Sequence, residues 1–144
     1  MDSGDFNMTG GNLSGTGVTI IMSSSTSPAN NTGEMKITGN GTVTLTAPTS
    51  GTYSGILFYQ DRNVSGAPNA RHLFTGGSTA ELSGVLYAPS YNIDFAGGNE
   101  TSGNGCMMII AQEVSFTGDT DITNDCTAYG VNTIFYGASP RLVE

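Results

Sequence analysis

The segments Ile93-Asp94-Phe95-Ala96-Gly97 and Val114-Ser115-Phe116-Thr117-Gly118 stand 21 residues apart, and Phe74 of Phe74-Thr75-Gly76 lies 21 residues before Phe95. A fixed interval of this size is how a chain that stacks copies of one small unit reads, each copy too small to bury its own apolar face. Both full copies run apolar, polar, apolar, and period two is the signature of a strand. Looser copies occur at Phe6-Asn7-Met8-Thr9-Gly10 and Met35-Lys36-Ile37-Thr38-Gly39. Glycine closes each one, which marks a repeated sharp corner, because glycine enters left-handed backbone without a steric penalty.

A second phrase interleaves with the first. It begins with glycine and continues with an apolar run: Gly17-Val18-Thr19-Ile20-Ile21-Met22, Gly55-Ile56-Leu57-Phe58-Tyr59-Gln60, Gly84-Val85-Leu86-Tyr87-Ala88-Pro89 and Gly105-Cys106-Met107-Met108-Ile109-Ile110, with a looser copy from Gly130 to Tyr136. Gly84 and Gly105 are again 21 residues apart. Thr42-Val43-Thr44-Leu45-Thr46 and Ala80-Glu81-Leu82 read as further short strands. The whole predicts an all-β chain, a single-stranded right-handed parallel β-helix of about five coils over residues 1–144. A leucine-rich horseshoe would need a Leu-x-x-Leu-x-Leu spacing that is missing, and the equal steps argue against a β-sandwich. Two polar segments, Ser23 to Gly33 and Asp61 to Arg71, read as surface loops inserted into the repeat.

The chain has 144 residues, 4 Lys and Arg against 12 Asp and Glu, and a formal charge of −8. Nucleic acid is thereby excluded as an expected partner, because no basic footprint exists. No apolar run approaches the roughly 20 residues that span a bilayer, so no membrane insertion by this segment is expected. Low lysine with abundant Thr, Ser, Asn and Gly suits an extracytoplasmic protein, in the periplasm, at the cell surface or secreted. Met1-Asp2-Ser3-Gly4 lacks the basic start and apolar core of a signal peptide, and the chain reads as an excised segment of something longer.

Cys106 and Cys126 are one residue short of a repeat apart, which would set them on neighbouring strands about 4.8 Å apart. That lies within the Cα range of a disulfide, and a bridge would imply an oxidising compartment. Asp61, Arg62, Arg71 and His72 form the one local gathering of acid, base and cation, at the two ends of the second inserted loop. They are the candidate ligand-binding loop, and the residues a carbohydrate-cleaving site would have to use. His72 also has a blander reading, as an ordinary ladder position in the register of Ile93 and Val114. Asp119, Asp121 and Asp125 alternate oxygen-bearing side chains that could ligate calcium, but the calcium-loop patterns are missing and a polar turn is the preferred reading. No cofactor, metal or catalytic residue is assigned.

The second phrase carries one more signal. Its runs are apolar on both faces, which means burial on both sides. Leu57, Tyr59, Leu86, Met107 and Ile109 are the candidate interaction strand, with another protein or chain segment covering the outer face.

The stretch Leu45-Thr46-Ala47-Pro48-Thr49-Ser50-Gly51-Thr52-Tyr53-Ser54-Gly55-Ile56-Leu57-Phe58-Tyr59-Gln60-Asp61-Arg62, followed by Leu82-Ser83-Gly84-Val85-Leu86-Tyr87-Ala88-Pro89, resembles the C-terminal region of TadG-like proteins associated with Tad (Flp) pili. Cys106-Met107-Met108-Ile109-Ile110-Ala111, Val114-Ser115-Phe116-Thr117-Gly118 and Asn124-Asp125-Cys126 are similar to that family as well, so the resemblance covers residues 35 to 131. It implies a bacterial envelope or secreted protein whose full-length form begins with a membrane anchor. It carries over no catalytic residue. The expectation is therefore a non-catalytic structural or adhesive module, partnered by envelope or pilus proteins or by surface glycans. The alternatives are a carbohydrate-active enzyme or glycan-binding module, and a solenoid that self-associates end to end through unpaired strand edges.

Overall fold

A computed structural model of the protein describes residues 1–25, 32–64, 69–75, 79–97, 99–100, 105–118, 120–122 and 124–127. The looser phrase from Gly130 to Tyr136 lies outside them, as do parts of both inserted loops. The elements are β1 (Phe6–Thr16), β2 (Ile20–Met22), β3 (Met35–Thr46), β4 (Ile56–Gln60), β5 (Arg71–Thr75), β6 (Thr79–Ala96), β7 (Asn99–Glu100), β8 (Met107–Thr117) and β9 (Thr120–Asp121). Seven of these strands make one sheet along the path β1-β3-β5-β6-β4-β2, with β8 also on β6 and β3 reaching β6 as well as β5; β7 and β9 pair separately. Every strand pairing is parallel.

The all-β reading holds, but the expected right-handed β-helix of about five coils is corrected. The strands join as one parallel sheet curled into a half-barrel, not as five closed turns. The physical reason is that a repeat fixes which residues stand opposite one another and nothing more. Phe74 stands opposite Phe95, and Phe95 opposite Phe116, as the 21-residue step requires. A curled parallel sheet meets that requirement as well as a closed circuit does, since both demand the same parallel register.

Alternation places the core on one face. In β3, Met35, Ile37, Val43 and Leu45 are buried while the residues between them are not. In β6, Ala80, Leu82, Leu86 and Ala88 are buried, and then Tyr91, Ile93 and Phe95. The inward set thus moves from even to odd positions across Pro89 and Ser90, where the register with β8 also shifts between Ala88 and Asn92. β6 advances four residues there while β8 advances two, and the odd step from Ala88 to Tyr91 keeps both halves of the strand facing the same core.

The three evenly spaced phenylalanines form a stacked ladder. Ring centroids are 5.1 Å apart for Phe74 and Phe95 and 5.3 Å for Phe95 and Phe116, with the planes within 14° of parallel. Phe74 and Phe95 are 2 % exposed, whereas Phe116 on β8 is 46 % exposed. Met8 stands opposite Ile37, and Ile37 opposite Phe74, which extends the ladder through the first strands. The corner glycines behave as their position requires: Gly39 and Gly118 have φ of 84° and 94°, in the left-handed region. A Cβ on Gly39 would stand 3.0 Å from the backbone nitrogen of Gly10 in the neighbouring strand, so stacking itself demands glycine there.

Candidate functional site

The loop residues singled out from the sequence do not converge. His72 is fully buried, while Arg71, its neighbour on β5, is exposed on the opposite face, as strand alternation dictates. The Arg71 guanidinium reaches Asp94 on β6 at 3.0 Å. Asp61 closes its own turn, with Oδ1 accepting the backbone N–H of Asn63 at 2.9 Å and its side-chain amide at 3.0 Å. Arg62 is exposed. His72 is therefore a core residue, as its blander reading had it.

The surroundings of His72 decide its chemistry. Its Nδ1 accepts the backbone N–H of Met35 at 3.0 Å, so the neutral ring carries its hydrogen on Nε2. The ring stacks on Tyr91 at 5.0 Å and meets the edge of Phe58 at 4.7 Å. Burial pushes its pKa down to about 4, against a smaller upward pull from Glu34. A neutral imidazole sealed from solvent cannot exchange protons with a sugar at the surface.

His72 belongs to a polar layer that sequence reading missed. Gln60 Nε2 donates to Thr32 Oγ1 at 2.7 Å, and the Tyr91 hydroxyl donates to the Thr32 carbonyl at 2.5 Å. The one signal for it was Gln60, a polar residue ending an apolar run at an inward position. Thr32 and Tyr91 reach it from distant parts of the chain, which no local pattern connects.

The candidate interaction strand splits between two faces. Leu57, Leu86 and Met107 are buried in the core, and Ile109 packs partly buried against it. Tyr59 alone of the five lies on the outer face, stacked on Tyr87 with centroids 5.4 Å apart and planes 10° from parallel. The outer face is a ladder of its own: Ile21 opposite Tyr59, Tyr59 opposite Tyr87, and Tyr87 opposite Ile110. Beside it run Ile56, Val85 and Met108, again paired across neighbouring strands. Ile110 is 43 % exposed and Met108 40 %. The sequence signal of two apolar faces was real, but the register shift between Ile56 and Phe58 moves Leu57 inward.

The disulfide joins Cys106 to Cys126, with a Cα separation of 4.4 Å. It does so across a reversal, because Cys106 makes an isolated antiparallel bridge to Asn124. The Cys106 backbone N–H also donates to the Ser83 hydroxyl at 3.2 Å, which ties the bridge to β6. Of the calcium candidates, Asp119 lies outside the described residues and Asp121 belongs to β9. Asp125 Oδ1 accepts the hydroxyl of Thr127 at 2.7 Å and its backbone N–H at 3.2 Å, which holds its carboxyl below the usual range. Among the described residues no three metal-ligating side chains gather.

Compared with protein-family models, with curated proteins and with solved structures, the chain matches none of them.

Proposed function

We propose that the chain is a non-catalytic structural or adhesive module of the bacterial cell envelope that works with Tad-type pili. The observation that carries this reading is the outer ladder of Ile21, Tyr59, Tyr87 and Ile110, flanked by Ile56, Val85 and Met108. Contiguous apolar side chains on a rigid, regularly spaced sheet suit a surface that other protein covers. The envelope setting rests on the resemblance to TadG-like proteins, and a disulfide accords with an oxidising compartment.

The test is binding without turnover. Immobilised chain is exposed to purified pilus subunits and to envelope glycans, with surface plasmon resonance for binding and chromatography for cleavage. Saturable binding of a pilus or envelope component with no glycan cleaved supports the reading. A chain that binds none of them, or that cleaves a glycan, overturns it.

A second reading, self-association, is favoured by β8. Among the described residues β8 pairs only with β6, and its Val114 and Phe116 are 37 % and 46 % exposed. An uncovered strand edge with apolar side chains is a template for another chain. The charge of −8 per copy opposes such stacking, so this reading requires association that grows with salt as repulsion is screened. Light scattering over a concentration series at low and high salt measures that directly.

A further inference from the structure

The apolar column that ends at Phe116 crosses the sheet from β8 to β1. Phe116, Phe95, Phe74, Ile37 and Met8 stand opposite one another in turn. At one end Phe116 and its neighbour Val114 are exposed on β8, and at the other Phe6 and Met8 are only half-buried on β1. Both strands are open edges: among the described residues β8 pairs with β6 alone and β1 with β3 alone. The Phe6 N–H is donated to the Glu34 carbonyl at 2.9 Å, so the N–H and C=O groups of Asn7 and Thr9 point away from β3, toward the open side. Edges that avoid pairing carry lysines, prolines or inward charges. β1 has none of these, and the one ionisable side chain in β8 is Glu113.

The two edges are one repeat at its two ends, so they fit each other without a change of register. Setting Met8 of one copy against Phe116 of another continues the column by one strand, ~4.8 Å on. Period two then sets Phe6 against Val114 on the core side, and Asn7 and Thr9 against Ser115 and Thr117 on the outer side. The same register brings two carboxylates together, because Asp5 lies three residues before Met8 and Glu113 three before Phe116. Like charges directly opposite on neighbouring strands repel. The junction is thus uncharged along most of its length and carries one repulsive pair at its end.

We propose that a second copy of this chain docks its β1 edge on β8 in parallel, with Phe6 on Val114 and Met8 on Phe116, and that the Asp5 and Glu113 pair limits how tightly copies join. This rests on the self-association reading above and names its partner strand and register. Each copy keeps one open edge of each kind, so the contact does not close and stacking continues past the dimer. A β8 strand paired with β8 of another copy would instead close at two and leave Asp5 uninvolved.

Sedimentation velocity of the whole chain over a concentration series decides it, with circular dichroism to confirm the fold of every variant. The mass is expected to grow past the dimer as concentration rises. Glu113→Lys turns the repulsive pair into an attractive one and is expected to tighten association about tenfold. Asp5→Asn keeps an oxygen to accept the Glu34 backbone N–H. Added to Glu113→Lys, it removes the attraction and is expected to weaken association about threefold, although the net charge moves nearer zero. A chain that simply associates better as its charge falls would tighten instead. Asn7→Pro deletes an N–H on the open side and none that β3 receives, so it should abolish growth while β1 stays paired. Should Asn7→Pro misfold, the charge variants carry the test. Absence of association in both the unaltered chain and Glu113→Lys up to ~1 mM overturns this proposal together with the self-association reading. Association that stops at the dimer, that Glu113→Lys leaves unchanged, that the added Asp5→Asn tightens, or that a folded Asn7→Pro retains overturns the β1-on-β8 register alone and leaves self-association standing.

Discussion

His72 and Met35 are locked together inside the sheet, the imidazole Nδ1 accepting the Met35 backbone N–H at 3.0 Å. Proton binding at Nδ1 would break that bond and place a charge among Phe58, Tyr91 and Ile93. Accordingly the folded pKa is pushed down to about 4 from an ordinary 6.5. Between those values the unfolded chain holds the extra proton and the folded chain does not, so stability falls as the pH falls through this window. The loss is complete below about pH 4 and amounts to ~3 kcal/mol. Urea denaturation at pH 7 and pH 4.5 measures it. In His72→Phe this component of the pH dependence is expected to vanish, while stability at pH 7 drops by about 1–3 kcal/mol because the Met35 N–H loses its acceptor.

Gly84 is buried in β6 at φ 138°. A Cβ there would lie 2.6 Å from the Ala47 Cβ and 2.9 Å from the Leu57 Cβ. Both obstacles sit next to backbone and cannot swing away. Gly84→Ala is expected to destabilise by about 2–4 kcal/mol, combining overpacking with a φ that L residues avoid. Thermal denaturation followed by circular dichroism checks this, with Gly51→Ala as the comparison: Gly51 is exposed, has φ 87°, and a Cβ there would meet nothing within 4 Å. Its loss is the backbone part alone, about 1 kcal/mol.

The phenylalanine ladder makes a graded prediction. Phe95 has a ring on each side and is 2 % exposed, whereas Phe116 has one stacked neighbour and is 46 % exposed. Phe95→Ala is expected to cost about 3–5 kcal/mol, and Phe116→Ala about 1 kcal/mol. Chemical denaturation midpoints of the two variants should differ accordingly. Equal losses would show that the exposed end of the ladder is covered in solution.

The contrast between these residues also shows what the sequence could reveal. Phe74, Phe95 and Phe116 disclosed the parallel stacking, because a constant step and period-two alternation are local facts about a strand and its neighbours. The curl of the sheet was hidden, since it depends on how β3 divides its pairing between β5 and β6. The outer face was half visible. Its apolar character was legible in Gly55 to Gln60, but the bulge after Ile56 reassigns Leu57 to the core, and a one-residue slip exchanges the faces of a strand. The layer of Thr32, Gln60, His72 and Tyr91 was invisible, because its members meet only through the fold.

The Cys106 to Cys126 bridge closes a loop with a sequence separation of 20. On the chain-entropy estimate such a closure stabilises by about 3 kcal/mol. Reduction, or the double replacement of Cys106 and Cys126 by serine, is expected to lower stability by that order. Hydrogen exchange should localise the added opening to the start of β8 and to residues 124–126, which Cys106 and Asp125 tie to their neighbours, and leave β1 and β3 protected. A uniform loss of protection would mean that the sheet unfolds as a single unit.

The two faces of the β4–β6–β8 ladder should respond oppositely to substitution. Leu86 is 1 % exposed and Ile110 is 43 % exposed, although each stands on an adjacent strand within the same apolar phrase. Leu86→Ala is expected to destabilise by about 2–5 kcal/mol, since it opens a cavity in the core. Ile110→Ser removes an exposed side chain and should shift stability by no more than about 0.5 kcal/mol. If the outer ladder is the interaction face, Ile110→Ser and Tyr87→Ser should each weaken binding to the envelope partner at least about tenfold, or ~1.4 kcal/mol. Denaturation and surface plasmon resonance on the same variants separate the two effects. Full binding by a folded Ile110→Ser, Tyr87→Ser double variant would remove the outer ladder from the mechanism and leave recognition to another part of the chain.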